Sequence, residues 1–143
     1  MRNPHSEARR WLVQAEDDLR FAMLGLERGF YAQCCFLCQQ AAEKAVKALH
    51  YYGGARLVIG HSVTQLLRGL GGAYPHLEEL LDTARELDQY YIPTRYPNGL
   101  PAGAPCEIYT RAQAQTALHG AEKLVTEVQA VLKAGEGNND TLA

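Results

Sequence analysis

The sequence predicts an all-α fold, an up-and-down antiparallel bundle of four long helices plus one short helix. Three observations carry this. Apolar residues recur at spacings of three and four over most of the chain; no segment alternates with the period of two that a half-buried strand needs; and most helical segments are joined by connections too short for anything but antiparallel neighbours.

The first helix spans about Glu7 to Arg28, where Ala8, Trp11, Ala15, Leu19, Ala22 and Leu26 share a face and Gly29 ends the run. A second follows at once. Tyr31, Cys35, Cys38, Ala42, Ala45, Leu49 and Tyr52 keep the rhythm, Gln33, Gln40, Lys44 and Lys47 fall on another face, and Gly53-Gly54 stops it. Ser62 with Gln65 has the form of a capping box that opens a short third helix through Val63, Leu66, Leu67 and Leu70. Pro75 opens a fourth, whose inner face is Leu77, Leu80, Leu81, Ala84, Leu87 and Tyr91 and whose outer face is acidic. Thr110 with Gln113 starts the last helix, carried by Ala114, Ala117, Leu118, Ala121, Leu124, Val125, Val128 and Leu132. One domain is expected over residues 1–133, with 134–143 as a flexible C-terminal tail. Between Tyr91 and Thr110 stand four of the six prolines, a stretch in which no helix is expected. A connection of this length inside a compact domain is a place to look for function, and it holds Arg95 between Thr94 and Tyr96.

Composition excludes several classes. A chain of 143 residues with a formal net charge of -2 cannot coat nucleic acid by bulk attraction, so any such contact is local. The N-terminus runs into charged residues without an apolar signal region, and nothing approaches ~18 consecutive apolar residues, so a soluble, cytoplasmic protein without membrane contact is expected. Cys34, Cys35 and Cys38 are too close together to staple a scaffold, and no second Cys or His pair completes a zinc site. They read as small core residues in the reduced state, and neither metal nor cofactor is expected.

Three motifs in register resemble the HEPN family, the "higher eukaryotes and prokaryotes nucleotide-binding" domain. They are Gln39-Gln40-Ala41-Ala42-Glu43-Lys44-Ala45-Val46-Lys47-Ala48-Leu49, then His61-Ser62, then Tyr91-Ile92-Pro93-Thr94-Arg95-Tyr96-Pro97. The resemblance runs from about Ala8 to Leu132. It implies a helical bundle that forms a homodimer, often paired with a minimal nucleotidyltransferase in a toxin-antitoxin-like couple. Some members are metal-independent ribonucleases that rely on an Arg-x(4-6)-His motif. Here only Arg56-Leu57-Val58-Ile59-Gly60-His61 has that spacing, earlier in the bundle than in catalytic relatives and with Leu after the Arg.

The nucleotide-binding candidates are Arg95, Tyr96, Lys44, Lys47 and Gln40. Arg95 offers a planar fork of donors to a phosphate and Tyr96 and Tyr91 offer ring faces to a base. The competing reading has Arg95 capping the fourth helix and the tyrosines sealing the core. Lys44 and Lys47, with Gln40 one turn before Lys44, form a polar stripe suited to phosphates or to an acidic partner, or simply a solvated face. The catalytic candidates are His61, as general acid or base, and Arg56, stabilising charge on phosphorus, with Arg95 and His61 as a second possible pair. Otherwise His61 merely helps to start the third helix. Three roles follow from these residues: a nucleotide- or RNA-binding protein, a metal-independent endoribonuclease toxin, or a non-catalytic adaptor that binds only protein.

Overall fold

The computed structural model describes residues 3–142, with side chains as far as residue 136, and contains helices but no strand among the described residues. Helix α1 (Pro4–Arg28) begins where Asn3 turns its side-chain oxygen onto the N–H groups of His5 at 2.8 Å and Ser6 at 3.3 Å. Pro4 occupies the first helical position, where a missing N–H leaves nothing unpaired. The helix ends at Gly29, in the left-handed region at φ 82°, and the N–H of Phe30 returns to the carbonyl of Gly25 at 2.7 Å. Two residues later α2 (Tyr31–Tyr52) starts back along α1.

Helix α2 is the centre of the molecule and packs against both α1 and the last helix, α7 (Arg111–Leu142). Cys34, Cys38, Ala41, Ala42, Ala45 and Ala48 are fully buried along it. This stripe of small side chains is therefore used inside the bundle, where it lets the neighbouring backbones approach. Large side chains fill the layers around it, with Leu49, Leu77, Leu87 and Leu124 fully buried. Cys35 is fully buried too, and burial, reinforced by Cys34 and Glu86, pushes its thiol up to about 12. The core reading of these cysteines holds, while Cys106 is exposed.

The short α3 (Val63–Arg68) is capped twice. Ser62 Oγ accepts from the Gln65 N–H at 3.1 Å, and the carboxylate of Asp88 accepts from the N–H groups of Val63 at 2.6 Å and Thr64 at 3.2 Å and from the Ser62 hydroxyl at 2.8 Å. The fourth helix of the sequence reading is two helices, α4 (Pro75–Glu78) and α5 (Leu81–Asp88). The break comes at Leu80, whose N–H bonds the carbonyl of Leu77 in a tight three-residue turn at 3.0 Å. That turn redirects the chain so that Leu77 and the Ala84–Leu87 face both reach the core.

The proline-rich connection also departs from expectation. It contains a 3₁₀ turn (Pro97–Gly99) and a single helical turn, α6 (Pro105–Ile108), because Pro97 and Pro105 stand at N-terminal helical positions that tolerate proline. Thr110 and Gln113 then form a complete capping box for α7: Gln113 N–H to Thr110 Oγ1 at 3.2 Å and Thr110 N–H to Gln113 Oε1 at 2.9 Å. Helix α7 continues to Leu142 through the segment expected as a tail, of which residue 143 and the side chains after 136 lie outside the described residues. Among the described residues no helix is long and apolar enough to cross a membrane.

Candidate functional site

Helix α2 carries a polar ladder at intervals of four, Gln39, Glu43 and Lys47, inside an otherwise apolar environment. The side chains of Glu43 and Lys47 are only 5% and 7% exposed, and Lys47 Nζ meets Glu43 Oε2 at 3.2 Å. A buried charge pair of this kind holds only if its remaining lone pairs are satisfied. They are: Glu43 Oε1 accepts from Gln39 Nε2 at 3.3 Å and faces His61 Nδ1 at 3.1 Å. Gln39 Nε2 also donates to the His61 carbonyl at 2.8 Å, so one α2 face grips both the ring and the backbone of His61. Because a carboxylate only accepts, Nδ1 carries the proton, and the other nitrogen of a neutral ring, Nε2, is left as an acceptor. The His61 side chain is 59% exposed.

The imidazole lies flat on Tyr91, with ring centres 4.6 Å apart and planes at 17°. Tyr91 comes from the segment after α5, and the same ring lies 4.6 Å from the guanidinium carbon of Arg95. His61 and Arg95 are thus at most twice that distance apart, joined by one aromatic neighbour. Phe36 at 4.5 Å and Tyr96 at 5.3 Å complete an aromatic frame around the guanidinium. Arg95 Nε donates to the Tyr91 carbonyl at 2.8 Å, which fixes the plane of the fork. Its two terminal nitrogens meet no partner among the described residues, and the side chain is exposed. An open depression of about 610 Å³ borders Tyr91, between the end of α5 and the Ile108–Tyr109 turn.

Of the residues singled out by sequence, Arg95, Tyr96 and His61 come together here with Tyr91. The polar stripe divides. Lys44 Nζ is held by Asp18 of α1 at 2.5 Å, Lys47 is buried against Glu43, and Gln40 Nε2 donates to Gln39 Oε1 at 2.7 Å, a step back from His61. Arg56, at the other end of the α2–α3 connection from His61, lines a groove against α1. The expected helix-capping role of Arg95 is realised only through its Nε, which bonds a carbonyl three residues beyond the end of α5. Four further residues build the site. Gln39 and Glu43 were open to detection, since with Lys47 they keep a strict four-residue interval; Phe36 and Asp88 had no such signal, because they act across long stretches of sequence. Among the described residues, no group of three or more His, Cys, Asp or Glu side chains is arranged to hold a metal ion.

The sequence profile of the HEPN domain matches residues 8–131. The chain belongs to the HEPN family. A protein of Methanocaldococcus jannaschii named "Putative toxin MJ1304" is 27% identical over 135 residues, 88% of each chain. Among solved structures, a Thermus thermophilus protein is 45% identical with a TM-score of 0.82, covering 87% of this HEPN chain and 97% of its own. A structure described as an archaeal HEPN homologue is 36% identical with a TM-score of 0.73, covering 88% and 98%. A HEPN domain protein of Thermotoga maritima is 39% identical with a TM-score of 0.69, covering 87% and 98%.

Proposed function

We propose that this HEPN chain binds a nucleotide or RNA at the surface formed by Arg95, Tyr96, Tyr91 and His61, as a homodimer and as the cytoplasmic partner of a minimal nucleotidyltransferase in a toxin-antitoxin-like pair. The observation that supports the reading is Arg95: an exposed guanidinium, fixed by the Tyr91 carbonyl and framed by the rings of Phe36, Tyr91 and Tyr96, whose two terminal nitrogens meet no partner among the described residues. Such a fork suits a phosphate, and the exposed ring of Tyr96 suits a base. The toxin name of the archaeal relative and the family resemblance favour the paired arrangement. Lys47 and Gln40 act in this reading through Glu43 and Gln39 around His61 rather than as direct contacts, and Lys44, held by Asp18, stands apart from this surface. Isothermal titration with ATP, GTP and a short RNA tests it: saturable binding lost in Arg95→Ala is the expected result, and equal binding by both forms refutes the site.

The geometry of His61 favours a second reading, a metal-independent endoribonuclease. Its Nε2 accepts the proton of a ribose 2′-hydroxyl, the 2′-oxygen bonds to phosphorus, the bond to the 5′-oxygen breaks, and the imidazolium returns a proton to that leaving oxygen. Arg95 stabilises the charge on phosphorus. RNA cleavage that persists in His61→Ala excludes this reading.

A further inference from the structure

We infer that the groove between α1 and the α2–α3 connection is a second site, one that grips the sugar-phosphate backbone of single-stranded RNA. The inference rests on the reading above only for the choice of nucleic acid as the ligand class. This groove is an open concavity of about 830 Å³, separate from the depression beside Tyr91.

Charge is the first argument. Arg9, Arg10, Lys44 and Arg56 line the groove with Glu7 as the one carboxylate on its walls among the described residues, in a chain whose formal net charge is -2. A concavity that gathers cations against the sign of the whole protein concentrates anions locally. The existing ion pairs do not exhaust it. Arg9 and Arg10, 62% and 67% exposed, meet Glu136 at 3.9 Å and Glu7 at 3.0 Å, contacts of a kind that solvent weakens and a phosphate displaces. Lys44 stays on Asp18 and adds field rather than a contact.

Aromatic surface is the second. Trp11 lines the groove and stacks on Tyr51 at 5.2 Å and 21°, a rigid platform of the kind that bases use without regard to sequence. Position is the third. Lys47 Nζ lies 5.6 Å over the Trp11 ring and also holds Glu43, the carboxylate that faces His61. Lys47 and Glu43, both buried, therefore link the wall of the groove to His61 through the interior of the molecule.

Fluorescence anisotropy of the full chain with a labelled single-stranded RNA of about 12 nucleotides, at several salt concentrations, tests the inference. Arg9→Ala/Arg56→Ala is expected to bind the strand about tenfold more weakly, with the slope of log K against log salt reduced by about 1.4, since each lost cation releases about 0.7 fewer counterions on a single strand. Both residues are exposed, so an unchanged melting curve accompanies the loss. ATP binding stays as in the wild type, whereas Arg95→Ala loses ATP and keeps most of the salt-dependent strand binding. Groove-dependent strand binding without any mononucleotide binding upholds the groove and discards the Arg95 clamp. No strand binding by the wild type, an unchanged slope in the double variant, or equal competition by polyglutamate overturns the inference.

Discussion

Asp88, the last residue of α5, caps the first turn of α3 from across the molecule, with its carboxylate 2.6 Å from the N–H of Val63. The contact begins at Ser62, the residue directly after His61, so the carboxylate that starts α3 also anchors the backbone that presents the imidazole. Asp88→Ala removes three hydrogen bonds to the α3 start and is expected to lower stability by about 2 kcal/mol, the upper range for a lost cap. Asp88→Asn retains part of the acceptor set and falls between. Urea unfolding of the three proteins checks the order.

The buried pair of Glu43 and Lys47 makes a sharper demand. Glu43→Ala leaves the Lys47 ammonium in the core without its carboxylate and is expected to cost about 3 kcal/mol or more. Replacing both, as Glu43→Ala/Lys47→Met, removes the orphaned charge and recovers most of that loss. A double-mutant cycle by denaturant unfolding measures the coupling; additive losses would contradict the pairing.

Helices α5 and α7 meet at Gly120, where an added Cβ would stand 2.7 Å from the Thr83 methyl carbon. Alanine favours the helix by about 1 kcal/mol over glycine. Gly120→Ala nevertheless loses stability, by about 1–2 kcal/mol, because overpacking outweighs propensity here. Thr83→Ser deletes the clashing methyl, and Gly120→Ala/Thr83→Ser is expected to melt higher than Gly120→Ala alone.

Cys35 gives a dependence on pH with a definite sign. Its thiol is raised from 9.0 to about 12 in the fold, so between these values the unfolded chain releases a proton that the folded chain keeps. The unfolded state then binds fewer protons, and stability is full below pH 9 and falls as pH rises toward 12. Cys35→Ala is expected to flatten that alkaline decline in denaturant midpoint. In the same vein, a thiol reagent under native conditions labels Cys106 alone among the four cysteines, and the other three only in denaturant.

These cases show why the bundle was legible in the sequence and much of the site was not. The period of Ala8, Trp11, Ala15 and Leu19 and the capping residues Thr110 and Gln113 are local, and local signals placed α1, α2 and α7. The turn at Leu80 carries no proline or glycine, and only the need to bury Leu77 and Leu87 together produces it. In the site, Arg95, Tyr96 and His61 stood out by residue type. Lys47 did not reveal its burial, because an apolar or a wet environment for a lysine depends on what α1 lays over it, in this case Trp11. Glu43, read only as part of the motif over residues 39–49, is the carboxylate that orients His61.

The most direct test of the central claim is to watch the site itself while a ligand is added. Heteronuclear NMR of the labelled chain, titrated with ATP and then with a short RNA, follows the Arg95 Nε–H, the His61 ring and the Tyr91 and Tyr96 ring resonances together. The account predicts that these four move in one saturable transition with a shared dissociation constant. Resonances that stay in place at these residues while the ligand binds elsewhere, or while nothing binds, would contradict it.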